Sequence, residues 1–260
     1  FLTVSASTRT TVSVVIDNLV FTLASNGGSS ISHSLLKVTH EGSGESIVEL
    51  KGVTFKSSTE NVQMSISAPL IDGRGGKVIM RGVAFEYVSV DDCALLRVNC
   101  GSSMFDMESG QRGTTESAQN SFYSIKRSSG KGAVLDETLS SSSELVISNS
   151  EFISCSTLSD GRGGVFYLII GNDVVSSPTH NPLSLASVTF TPSSPFTFGS
   201  CALMLASTSI NNFKTSHLDL SSTILSDYSF TGTYPTSNEM KYCGQLITAE
   251  ASPTVRYTFP

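Results

Sequence analysis

The chain has no tryptophan, only 15% charged residues and no apolar run long enough to cross a bilayer. Its longest such run, Val165-Phe166-Tyr167-Leu168-Ile169-Ile170, has the length of a buried strand. The shortage of Glu and Lys at a 3.6-residue period excludes amphipathic helices as the main element. The net charge of −6 and the absence of a basic stripe argue against a nucleic-acid partner. The densest basic group, Lys126-Arg127 with Lys131, is only local. Five cysteines make neither a dense disulfide scaffold nor a metal framework, and the four histidines (33, 40, 180 and 217) are scattered. No zinc spacing, phosphate loop, dinucleotide fingerprint or Asn-x-Ser/Thr sequon occurs, so no cofactor and no metal are expected.

What is present is a repeat. Short alternating apolar segments run into phenylalanine again and again. Clear copies are Val14-Val15-Ile16-Asp17-Asn18-Leu19-Val20-Phe21, Ile47-Val48-Glu49-Leu50-Lys51-Gly52-Val53-Thr54-Phe55 and Val78-Ile79-Met80-Arg81-Gly82-Val83-Ala84-Phe85. The rungs are Phe21, Phe55, Phe85, Phe122, Phe152, Phe190, a degenerate place near Leu225, and Phe259, with a mean period of about 34 residues. After most rungs come one or two small residues and a second apolar strand, as in Ala68-Pro69-Leu70-Ile71, Cys93-Ala94-Leu95-Leu96, Gly163-Gly164-Val165-Phe166 and Gly244-Gln245-Leu246-Ile247. Ser and Thr, more than a quarter of the chain, supply polar loops and outward faces.

Two such strands cannot bury their apolar face alone. Stacking successive units at strand spacing, about 4.8 Å, gives a continuous core, an internal phenylalanine ladder and tight corners at Gly76 and Gly164. The expected fold is therefore all-β: a parallel β-helix of about seven to eight coils, with residues 1–260 forming one repeat domain cut from a longer array. A β-propeller would need four strands per blade, and leucine-rich repeats their own Leu/Asn frame.

Phe152-Ile153-Ser154-Cys155 followed by Gly161-Arg162-Gly163-Gly164-Val165-Phe166-Tyr167 resembles the paired repeats of polymorphic outer-membrane proteins. It is also similar to the Phe-x-x-Cys and Gly-Gly repeats of large surface proteins of anaerobic protists. Other copies carry Ala24, Ser58 or Val88 where Cys155 stands. The resemblance implies a right-handed, pectin-lyase-like coil and a non-enzymatic rod at the cell surface or in the extracellular space. Its partners would be a host or neighbouring-cell surface protein or a glycan, met by variable loops after Phe105, Val174 and Thr231. Membrane contact would come only through segments outside this chain.

The competing class is a polysaccharide-active enzyme on the same scaffold, resembling a pectate lyase or a polygalacturonase, since one fold hosts both; the acidic Ca²⁺ cluster and Arg pair of pectate lyases have no counterpart in the sequence. Asp91-Asp92-Cys93-Ala94-Leu95 resembles the Asp-Asp-Cys piece of polygalacturonases, making Asp91 and Asp92 the only catalytic candidates. Inverting hydrolysis needs carboxylates on both sides of the scissile bond. The third Asp, the Gly-His-Gly and the Arg-Ile-Lys of that family have no counterpart here, and a solvated loop explains the pair more simply. Asp-Gly-Arg-Gly-Gly occurs twice, at Asp72–Gly76 and Asp160–Gly164, and reads as a glycine-rich corner. Cys201 and Cys243 hold near-equivalent places before second strands and are the one candidate disulfide; small buried thiols are the alternative.

Overall fold

A computed structural model describes residues 2–6, 9–23, 31–40, 45–58, 64–73, 76–97, 104–107, 110–112, 116–140, 144–157, 164–170, 183–191, 203–207, 218–219, 224–225, 239–243, 246–249 and 256–258. Every regular element among them is a β-strand, and parallel strands stack level upon level as a β-solenoid. Four strand positions recur. The first is held by Leu2–Ala6, Leu36–His40, Ile71–Asp72 and Leu96–Arg97. The second is held by Thr11–Asp17, Glu45–Lys51, Lys77–Arg81 and Met104–Met107. Val20–Leu23, Thr54–Ser57, Ala84–Glu86 and Asn120–Tyr123 carry the phenylalanines. The fourth position, Met64–Ile66, Val88–Val90, Lys126–Arg127 and Ser156–Thr157, is short. Further up the stack Glu144–Ile153 and Leu183–Thr191 merge the second and third positions into single strands.

Period-two patterning explains the register. In Glu45–Lys51 the side chains of Ser46, Val48 and Leu50 are buried, while their neighbours face out. A slip of one residue would turn all three to solvent, so the pairing Val14↔Val48↔Val78 is fixed by the core. Ser46 is tolerated inside because its hydroxyl accepts from the Ala6 N–H and donates to the Thr39 carbonyl, both at 2.9 Å.

The phenylalanines pile up in register. Phe21 on Phe55, Phe55 on Phe85 and Phe85 on Phe122 stack with centroids 4.9 Å apart, and Phe122 on Phe152 at 4.6 Å. That spacing is the distance between neighbouring strands, so backbone pairing and ring stacking are satisfied by the same repeat. Phe166 then meets Phe152 edge-on, at 4.8 Å and 77°. The backbone register continues through Phe152↔Phe190 and Phe190↔Leu225, which puts the degenerate rung where the period expects it.

Two corners use left-handed backbone. Three residues before the rung stand Asn18, Gly52, Gly82 and Asn149, all with φ between 41° and 62°. Asn and Gly are the residues that enter this region at least cost, and the bend separates the second strand from the third. Two residues after the rung, Tyr87, Ser124 and Ser154 adopt φ of 55° to 58°.

The stack departs from expectation at its far end. Leu203–Ser207 still pairs in parallel with Phe166–Ile170, but Glu239–Cys243 returns antiparallel to it. Leu246–Ala249 and Arg256–Thr258 extend that antiparallel meander. Leu246–Ala249, expected to begin another parallel coil, is thus antiparallel instead; Gly244, Gln245 and Phe259 lie outside the described residues. Two-residue spacing between Cys243 and Leu246 favours a hairpin over a crossover, which needs a dozen or more residues.

Candidate functional site

The richest polar cluster sits where the fourth strand turns into the next first strand. Ser128, Ser129, Gly130, Lys131 and Gly132 form this corner in one coil, and Asp91, Asp92 and Cys93 form it in the coil before. Arg127 is its centre, and is only 5% exposed. Its guanidinium donates to the carbonyls of Lys131, Gly132 (3.1 Å) and Asp92 (2.9 Å), and pairs with the Asp136 carboxylate at 2.9 Å. A planar fork with several fixed donors suits this task in a way that a lysine ammonium does not. The bonds tie two successive corners together. Lys131 completes the group from outside, its Nζ lying 4.3 Å from the Tyr167 ring centroid and 3.1 Å from the Tyr167 hydroxyl oxygen.

Asp91 and Asp92 belong to the same corner. The Ser129 hydroxyl donates to the Asp92 carboxylate at 2.6 Å, and the Ser128 hydroxyl reaches the Asp91 carboxylate at 3.4 Å. The Asp91 N–H donates to the Ile66 carbonyl. Both carboxylates therefore clip one coil to the next, and Asp92 is exposed. Among the described residues no group of three His, Cys, Asp or Glu could hold a metal ion. Asp72 is buried at the outward place of its short strand, 3.9 Å from Arg97, which follows it in register. Gly76 packs directly on Val38 and Ser46, and Gly164 is buried at the foot of the Phe166–Ile170 strand. Asp160, Cys201 and the loops after Val174 and Thr231 lie outside the described residues.

The two described thiols that are not in strands differ sharply. Cys93 is partly exposed; burial raises its pKa, against the opposing pull of Arg127 and Arg97. Cys155 is fully enclosed, donates to the Phe122 carbonyl at 3.3 Å, and is pushed by burial to about 12 from the ordinary 9.0. A thiol pKa raised by folding means that the native state keeps its proton longer. Its contribution is complete below pH 9 and is lost between pH 9 and about 12, as the unfolded chain ionises first. Iodoacetamide labelling followed by peptide mapping at pH 8.5 is expected to modify Cys93 in the native protein. Cys155 is expected to react only in urea; equal labelling of both in the native protein would contradict the enclosed thiol.

Two features were missed from sequence. Arg127 read only as part of a local basic group with Lys126 and Lys131, and no spacing rule marks it as buried. Asn120 is buried as well: its side-chain oxygen accepts from the Val83 N–H at 2.9 Å, and its amide nitrogen donates to the Met80 carbonyl at 3.2 Å. It stands just past an antiparallel hairpin, Gly110–Arg112 with Glu116–Ala118, inserted between the second and third strands of its coil. The hairpin follows Phe105, at the first of the expected variable loops. No family model, no curated protein and no solved structure matches the chain.

Proposed function

We propose that this chain is a non-enzymatic rod of the right-handed, pectin-lyase-like kind, working at the cell surface or secreted, that holds variable loops for adhesion to a surface protein or glycan. The observation that carries this reading is the antiparallel pairing of Gly110–Arg112 with Glu116–Ala118. This pair of strands is extruded from one coil while Phe85, Phe122 and Phe152 stay in register around it. A rigid scaffold with variable excursions is the arrangement recognition sites favour. The corner geometry adds support, since the Asp91 and Asp92 carboxylates are engaged with Ser128 and Ser129.

The test pairs a binding probe with a turnover assay. The purified chain is applied to a printed glycan array and to immobilised extracellular-matrix proteins, beside a variant whose residues 110–118 are replaced by a short Gly/Ser linker. Binding is expected to fall at least tenfold, about 1.4 kcal/mol, with the thermal midpoint nearly unchanged. Polygalacturonate and pectin are expected to remain intact in the presence of the same protein. Depolymerisation that disappears in Asp91→Ala or Asp92→Ala would replace the adhesive reading with the hydrolase one, and binding indifferent to the hairpin would remove its support.

A further inference from the structure

The core by itself does not tell one coil from the next. At the first strand position the apolar pairs are Leu35-Leu36, Leu70-Ile71, Leu95-Leu96 and Val134-Leu135, close to interchangeable in size and chemistry. The phenylalanine rung is likewise the same from coil to coil. What differs is the residue that follows each pair at the outward place: Lys37, Asp72, Arg97 and Asp136. Strand pairing brings these four into one column. Lys37 lies beside Asp72, and Asp72 beside Arg97. The Leu96 N–H donates to the Val134 carbonyl at 3.0 Å, which sets Leu96 level with Leu135 and so Arg97 level with Asp136. The charges therefore run plus, minus, plus, minus up four successive coils. Leu2–Ala6 pairs below this set and Phe166–Ile170 above it, so the column belongs to the interior of the stack.

We propose that this column is a coil-order key, a device that keeps the chain from skipping a coil as it winds. With the coil of Ile71–Asp72 looped out, Leu36 would pair with Leu96 at no loss of apolar fit, and closing so long a loop is only a weak penalty. That slip sets Lys37 against Arg97. Looping out the next coil sets Asp72 against Asp136. Each error replaces an attractive neighbour with a repulsive one at about one strand spacing. Asp72 sharpens the second case, because it is 4% exposed and 3.9 Å from Arg97. A second carboxylate in place of that guanidinium would meet it with little water to screen the repulsion. Skipping the coil of Ile71–Asp72 would also take Glu86 from beside Lys56 and leave Tyr123 in its place. The inference concerns winding and holds whatever the rod binds.

The test is a reporter for the skipped coil. Thr54 and Ser121 stand at outward places two coils apart, each level with Ala84. Cysteines introduced as Thr54→Cys and Ser121→Cys are about 9.6 Å apart in the native stack, beyond disulfide reach, and come level only when the coil between them is looped out. The full 260-residue chain carrying both is refolded from urea at low salt, oxidised mildly and mapped by peptide mass spectrometry. With the column intact the 54–121 disulfide is expected to be rare. Arg97→Asp, which draws Lys37 into the wrong pairing, is expected to raise it about fivefold, the scale of one reversed cross-strand pair. Lys37→Asp, at an exposed position, is expected to do the same, and Arg97→Met to fall between. In 1 M NaCl, where the screening length is about 3 Å, the differences are expected to vanish. The same yield in all four chains at low salt, or a rise that persists undiminished in 1 M NaCl, would overturn the key. Lys37→Asp decides the matter even where Arg97→Asp fails to fold: no increase in the 54–121 disulfide there would overturn it too.

Discussion

Phe85→Ala is expected to destabilise the solenoid by about 3–5 kcal/mol, the range for removing a fully enclosed aromatic ring. Phe85 is 0% exposed and lies between Phe55 and Phe122, with both rings 4.9 Å away and nearly parallel. Neither neighbour can move in to fill the gap, because each is held by the strand pairings Phe55↔Phe85 and Phe85↔Phe122. The loss therefore combines the transfer term, about 2–3 kcal/mol for such a ring, with an unfilled cavity and two broken stacks. Phe21→Ala offers the internal comparison. Among the described residues Phe21 stacks on Phe55 alone, and it is partly exposed, so its removal is expected to cost less than half as much. Urea unfolding at constant slope reads both values from the shift in midpoint. Equal costs at the two positions would mean that the ladder is not a continuous core.

The second large effect is expected at Gly132. Its φ is +62°, and a methyl group there would overlap the Leu135 carbonyl oxygen and lie 2.8 Å from the Tyr167 backbone nitrogen. Both obstacles are main chain of paired strands, Leu135–Leu139 and Phe166–Ile170, so neither can yield without breaking the ladder. Backbone strain and overlap together put Gly132→Ala on the order of 4 kcal/mol or more. Gly130 supplies the contrast in overlap alone, since its φ of +90° strains an alanine there too. Its added methyl would meet the end of the Arg127 side chain, 2.6 Å away, which can give at the expense of its carbonyl contacts. Thermal melts of the two alanine variants, with far-ultraviolet dichroism to verify strand content, are expected to rank Gly132 well ahead. A Gly132→Ala protein that melts like the parent would show that the corner is not built as described.

Much of this fold can be read from residue order because its strongest signal is periodic. Phenylalanine at steps of 30 to 38 residues and alternation around Val48, Val78 and Val14 need no long-range information. The left-handed corner three residues before each early rung was not read, although Asn18, Gly52 and Gly82 are of the types that such corners select. Arg127 was not legible. Its burial is decided by three carbonyls and one carboxylate that meet it only after the coils stack, and locally Lys126-Arg127 reads as a charged surface. The reversal after Leu203–Ser207 escaped for a related reason. An apolar strand after a small residue has the same pattern in a parallel coil and in an antiparallel hairpin, and only the length of the connection separates them. Asp91 and Asp92 were visible as carboxylates, but their serine partners belong to the next coil and lie 37 residues downstream in sequence.

The Asn120 amide gives the rod a further property. By offering one acceptor and one donor to Val83 and Met80, a single side chain takes over hydrogen bonds that main chain would otherwise make where the hairpin leaves the wall. The seam is thereby sealed independently of what is looped out before it. A foreign peptide spliced in place of residues 110–118 would ride on the outside without disturbing the levels above and below, making this coil a natural graft point for carrying an epitope.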